Sequence, residues 1–165
     1  MTVIEFMKEC LPPVDSDIAK RLRKTLEKRK VTFFMQSAVK QIVPPAGKEQ
    51  PAATVVFDRK GKEQTVETDL VLIATGRHPN VEQTGLETAG IEFSSRGITV
   101  DDNMETNVKG VYAIGDVNAR QMLAHAATFQ GFRAVNHILG KKDFIRLDIM
   151  PAAIFTYPEA ACVGK

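Results

Sequence analysis

Five apolar residues in succession, Leu70-Val71-Leu72-Ile73-Ala74, constrain the fold of this chain more than any other stretch. Continuous apolar runs of strand length belong to central strands of parallel sheets, buried on both faces. Asp69 leads into the run, and Thr75-Gly76-Arg77-His78-Pro79-Asn80 ends it. Pro79 blocks continuation of the strand, and Gly76 allows a backbone to approach closely. A strand buried on both faces needs helices to cover it, so the run points to an α/β architecture.

The flanking pattern agrees. Thr2-Val3-Ile4 reads as a buried strand closed by Glu5. Asp15 or Ser16 is a candidate N-cap for a helix whose apolar stripe is Ile18, Leu22 and Leu26, spaced i+4. Lys20, Arg21, Arg23, Lys24, Lys28, Arg29 and Lys30 cover its other faces, the usual sign of a solvated surface. Residues 31–35 and 38–43 read as strands, and Pro44-Pro45-Ala46-Gly47 opens a loop that runs to Ala53. Residues 54–57 and 64–67 flank Arg59-Lys60-Gly61-Lys62 as a hairpin with a turn of about four residues. A short helical turn is expected near 85–90, and strands at 98–100, 111–114 and 154–156. Gly115-Asp116 closes the strand at 111–114. A helix is expected over 121–139, with Gly140 as its C′ stop. The order strand–helix–strand, small antiparallel excursion, strands and long helix favours parallel sheets.

Bulk properties narrow the function. Of 165 residues, 44% are apolar and 25% charged, an ordinary globular composition. A net charge of +2 and the absence of Trp give no support to nucleic-acid binding. The longest apolar stretches reach about half a membrane span, so no transmembrane helix is expected. The apolar run after Met1 is too short for a signal peptide, since charge returns at Glu5. Cys10 and Cys162 lie far apart and form no CxxC or CxxxxC, which favours a reducing compartment over a disulfide framework. His78, His125 and His137 have no metal-ligand spacing with them, and no metal site is expected. A strand-like segment starts at Thr2 without lead-in, and Val163-Gly164-Lys165 follows another. Domains usually begin and end in exposed linkers, so the chain is expected to be an internal fragment.

Three places could carry chemistry. An acidic residue ending the second strand of a dinucleotide-binding unit holds the adenine ribose hydroxyls, a role open to Glu5. The Gly-rich turn that should precede it is not in this sequence, which contains no GxG, and Glu5 also reads as a plain strand-end charge. Asp116, at the carboxyl end of its strand, could accept a sugar hydroxyl or be a turn residue after Gly115. Met122-Leu123-Ala124-His125 opens the long helix, whose free N–H groups and dipole favour negative charge.

Taken together, five segments occur in the order found in the pyridine nucleotide–disulfide oxidoreductases. They are Thr2-Val3-Ile4-Glu5, Ala74-Thr75-Gly76-Arg77-His78-Pro79-Asn80, Val111-Tyr112-Ala113-Ile114-Gly115-Asp116-Val117, Met122-Leu123-Ala124-His125-Ala126-Ala127 and Phe155-Thr156-Tyr157-Pro158-Glu159-Ala160-Ala161. The chain resembles this family along essentially its whole length, and its Leu-Ala-His form looks most like the dihydrolipoamide dehydrogenases. The resemblance implies a partial Rossmann-like FAD/NAD(P)-binding fold and the start of an α+β dimer-interface domain. Residues 1–76 would be the latter part of the NAD-binding domain, 77–143 the return to the FAD side, and 144–165 the beginning of the interface domain.

The same resemblance assigns roles. Glu5 would hold the NAD adenosine ribose, with Val39 near the adenine and Ala74, Thr75, Gly76 and Arg77 bordering the bound NAD. Asp116 would bind the FAD ribityl chain, and the backbone of Met122, Leu123, Ala124 and His125 would face the flavin. The implied reaction carries electrons from protein-bound dihydrolipoamide through a disulfide and FAD to NAD. The implied setting is a homodimer serving lipoyl domains of 2-oxoacid dehydrogenase or glycine cleavage complexes, in the cytoplasm or the mitochondrial matrix. This chain would place cofactors and hold no catalytic residue: the NAD glycine turn, the redox CxxxxC and the C-terminal His-Glu pair are not in it. Alternatives are a mercuric reductase-like or transhydrogenase-like member, or an inactive non-catalytic module.

Overall fold

The computed structural model describes residues 1–12, 14–47 and 52–164. Residues 48–51 of the loop expected from Pro44 to Ala53 lie outside the described residues, as does Lys165. The chain is a mixed α/β protein of two compact units: residues 1–74 with 153–162, and residues 75–152 with 163–165.

In the first unit β1 (Thr2–Glu5) pairs in parallel with β2 (Thr32–Met35), with Glu5 opposite Met35. Between them runs α1 (Ser16–Lys28). Asp15 occupies the N-cap position but makes no side-chain cap, whereas Asp17 sits in the first turn, where the dipole favours an acid. The buried ridge of α1 is Ala19 and Leu22, with Ile18 left exposed. This corrects the expected Ile18-Leu22-Leu26 stripe: Ala19 sits at i−3 from Leu22, and its small side chain lets the helix approach closely. Arg23 binds Glu9 through two bonds, Nε to Oε1 at 2.8 Å and Nη2 to Oε2 at 3.2 Å. That donation holds the Glu9 carboxyl below its ordinary range, against the opposing effect of burial.

The excursion is a three-stranded antiparallel sheet in the order β3 (Ser37–Val43), β4 (Ala53–Arg59), β5 (Lys62–Thr68). On central β4, Ala53, Val55 and Phe57 alternate inward, and Phe57 meets Phe34 at a ring separation of 5.0 Å. Arg59 pairs with Lys62, so the β4–β5 turn is the expected one of four residues. Lys60 and Gly61, with φ of 56° and 75°, make a two-residue connection of the primed kind that matches strand twist.

The run 70–74 departs most from expectation. It forms no strand, and Leu70, Leu72 and Ile73 are 82%, 84% and 70% exposed. Among the described residues no strand lies alongside to hydrogen-bond with it: β1 and β2 make a sheet of two. A strand buried on both faces requires neighbours at both edges, and without them its apolar side chains stay in solvent.

The core of the second unit is Val81, Ile98 and Ala113, packed by Leu86, Ile91, Phe93, Val100 and Val117. The strand expected at 98–100 shrinks to β7 (Gly97–Ile98), paired with β6 (Phe93–Ser94). The strand expected at 111–114 is reduced to a single bridge between Tyr112 and Glu105. The bonds of that bridge, Thr106 N–H to Val111 C=O and Ala113 N–H to Met104 C=O, pair it with one neighbouring segment. Helix α2 (Ala124–Ile138) starts three residues later than expected, because Leu123 is extended with φ −130°. Gly140 ends it at φ 64°, where Lys141 N–H bonds Asn136 C=O and Gly140 N–H bonds His137 C=O. A last two-stranded sheet joins β8 (Ala152–Ile154), placed two residues earlier than expected, and β9 (Ala160–Cys162). No helix of the described residues is long and apolar enough to cross a membrane.

One glycine is irreplaceable by packing. Gly97 has φ 107°, and a Cβ added there would lie 2.7 Å from the Val117 carbonyl oxygen. Gly97→Ala should therefore cost at least about 2 kcal/mol from φ strain and backbone displacement combined. Urea unfolding checks this, and an unchanged midpoint would show that the turn yields freely.

Candidate functional site

In the first unit Glu5 stands at the carboxyl end of parallel strand β1, half-buried. Its Oε1 accepts the Met7 N–H at 2.7 Å. A carboxylate offers about four lone-pair sites, so this bond leaves capacity for ligand hydroxyls. Val39 lies on β3 at an irregularity in its register with β4 and is 48% exposed. Ala74 is exposed at the end of the unpaired apolar run.

Thr75, Gly76 and Arg77 open the second unit, all exposed. Gly76 takes φ 103°, a conformation that disfavours any side chain. Arg77 Nη1 lies 4.0 Å from Asp116 Oδ2, with both side chains open to solvent. The structure thus brings together two residues that the sequence assigned to different ligands.

Asp116 is not at the end of a sheet strand. It sits in a 3₁₀ turn, Gly115–Asn118, entered from extended Ile114 and left through Ala119 at φ 53°. Two residues that the sequence reading passed over build this turn. Gln130, only 2% exposed, accepts the Gly115 N–H at 2.7 Å and an Asn118 Nδ2 hydrogen at 2.9 Å through its Oε1. Asn118 Nδ2 also donates to the Ala113 carbonyl at 3.0 Å. A signal was there: Ala126, Gln130 and Ala134 recur at i+4 on α2, which places an amide in the middle of a stripe of small buried residues. A buried amide on such a face needs specific partners.

Met122 and Leu123 are half-buried and precede α2, and Ala124 and His125 begin it. The N–H groups of Ala124, His125 and Ala126 have no intrahelical acceptor. No side chain caps them, and the first turn holds no acid. The helix therefore presents its positive end uncompensated. The His125 ring is anchored by Nε2, 2.7 Å from the Pro151 carbonyl. A carbonyl only accepts, so that nitrogen carries the hydrogen.

The free thiols Cys10 and Cys162 are not part of either arrangement. Burial, then the Glu9 carboxylate, pushes the Cys10 thiol above its ordinary value. Among the described residues no group of three or more His, Cys, Asp or Glu could hold a metal ion.

The arrangement is thus a strand-end carboxylate on one unit, and on the other a carboxylate-bearing turn beside an uncapped helix start. The family described as pyridine nucleotide-disulphide oxidoreductase matches residues 1–131. Dihydrolipoyl dehydrogenase 2, mitochondrial, of Arabidopsis thaliana is 38% identical over 167 residues, covering 100% of this chain and 32% of that protein. A leghemoglobin reductase of Glycine max is 36% identical over 166 residues, covering 100% of this chain and 31% of its own length. The crystal structure of LpdA from Mycobacterium tuberculosis superimposes with a TM-score of 0.86 at 32% identity, over 99% of this chain and 35% of that one. The chain spans about a third of the length of the curated relatives it matches.

Proposed function

The chain belongs to the pyridine nucleotide-disulphide oxidoreductase family, and from that premise we propose that it is an internal segment of an NAD-linked dihydrolipoyl dehydrogenase. The observation that carries the reading is the Gly115–Asn118 turn set beside the uncapped start of α2, which fits a flavin and its ribityl chain. The family binds FAD and NAD(P). When bound, FAD would pass electrons between a dithiol and NAD. The chain's own residues bind and orient. Asp116 accepts a ribityl hydroxyl. The N–H groups at Ala124, His125 and Ala126, held behind Met122 and Leu123, stabilise negative charge on reduced flavin. Glu5 accepts the adenosine ribose hydroxyls of NAD and repels a 2′-phosphate. Val39 lies near the adenine, and Ala74, Thr75, Gly76 and Arg77 border the dinucleotide.

On this reading residues 1–76 are the latter part of an NAD domain, 77–143 belong to the FAD side, and 144–165 begin an interface domain. The whole enzyme would be a homodimer acting on lipoyl domains of 2-oxoacid dehydrogenase or glycine cleavage complexes, in a bacterial cytoplasm or a mitochondrial matrix. A second reading comes from the relative named leghemoglobin reductase: the same segment would then serve an enzyme whose electrons leave to a haem protein. Both readings share the cofactor residues.

The NAD half is tested by Glu5→Ala in the full-length enzyme. Hydrogen bonds to a charged group contribute about 1.5–3 kcal/mol, so the KM for NAD should rise roughly ten- to hundred-fold. Steady-state kinetics at fixed dithiol read the change. An unchanged KM would remove Glu5 from the site.

A further inference from the structure

Gln130 is not among the expected site residues and is buried in the inner stripe of α2. Its one amide oxygen accepts two hydrogen bonds, and both donors, Gly115 N–H and Asn118 Nδ2, belong to the turn that carries Asp116. Gly115 is held at φ 79°, where an added Cβ would lie 3.3 Å from Ala127 Cβ. The turn is thus pinned at both ends to one helix, the same helix whose start is uncapped. We propose that Gln130 is a positioning residue: it locks the Asp116 turn to α2, so that the carboxylate and the helix start meet a single flavin together. This rests on the flavin reading above.

Physical chemistry favours this role over simple packing. A leucine would fill the same space on an otherwise apolar stripe. An amide there must be matched by donors, and leaving those donors unpaired is costly. The turn has no sheet to hold it, since the segment before it makes only one bridge. Beside Val117 packed on the core and the Arg120 N–H bond to Asn118 Oδ1, its anchors are Gln130 and the Asn118 link to the Ala113 carbonyl.

The test is FAD titration of the full-length apoenzyme that contains this segment, followed by flavin fluorescence, in four proteins: wild type, Gln130→Leu, Asp116→Ala and the double variant. Gln130→Glu, which keeps the acceptor oxygen, is run beside them, and circular dichroism confirms that each is folded. Gln130→Leu should weaken FAD about ten-fold and should change little when Asp116 is already alanine. Gln130→Glu should stay close to wild type. Residues in one network couple, whereas independent structural effects add. If Gln130→Leu binds FAD as well as wild type, or costs as much in the Asp116→Ala background, the positioning role is overturned and the flavin reading stands. If wild type binds no FAD, the flavin reading itself falls, and the role given to Gln130 with it.

Discussion

Supplied with FAD, dihydrolipoamide and NAD, the purified 165-residue chain should form no NADH above a flavin-only control. Exchange between a dithiol substrate and a protein disulfide needs two neighbouring cysteines, one of them ionised enough to attack. Cys10 and Cys162 are both free and stand at opposite ends of the chain. The Cys10 thiol donates weakly to the Ala19 carbonyl at 3.7 Å and to Glu9 at 3.6 Å, and burial with the Glu9 charge keeps it protonated above its ordinary value. It is a poor nucleophile with no partner cysteine near it in sequence. The assay follows NADH absorbance at several chain concentrations. Turnover that scales with the chain would mean that it carries thiol chemistry of its own, and the cofactor-placing account would fail.

Asp116→Ala should weaken FAD binding by about 1.5–3 kcal/mol, the contribution of a hydrogen bond to a charged group, or roughly ten- to hundred-fold in affinity. The loss of Arg77 as a neighbour adds little. Their 4.0 Å approach joins two exposed side chains, and such pairs are worth about 0–1 kcal/mol. The turn itself should survive, because its anchors are the Gly115 amide and the Asn118 side chain, neither of which is altered. NAD binding at Glu5 should also be unaffected, since Glu5 belongs to the other unit. Equal dissociation constants for wild type and variant would make Asp116 a plain turn residue.

Local signals were read well where the structure they specify is itself local. The helix stop at Gly140 needs only a left-handed residue and two short-range bonds, and it appears where the pattern put it. The hairpin around Gly61 and the parallel pair begun by Thr2-Val3-Ile4 are also in place. The errors lie where a strand needs neighbours. The run 70–74 reports a preference for burial, and periodicity cannot supply the strands that would satisfy it. The segment 111–114 fails for the same reason and leaves Asp116 on a 3₁₀ turn instead of a strand end. At the candidate site the carboxylates and the helix start could be picked out by type and position. Gln130 could be noticed only as an amide in the small-residue stripe of α2; its role could not be read, because its partners lie 15 and 12 residues away and are set by packing of α2 on the turn. The Arg77–Asp116 approach spans residues that local reading gives to separate ligands, and only the fold brings them side by side.

The central claim is that one chain carries parts of two cofactor sites on two separate units. Backbone amide shifts of this segment, isotopically labelled within the full-length apoenzyme and recorded during separate titrations with FAD and with NAD, test it most directly. FAD should move the amides of Gly115, Asp116, Val117 and Asn118 and of Leu123, Ala124, His125 and Ala126. NAD should move those around Glu5 and Val39. Saturable shifts in these two separate sets are the expected result. Shifts scattered over the surface, both ligands acting on one set, or no saturable change with either would contradict the account.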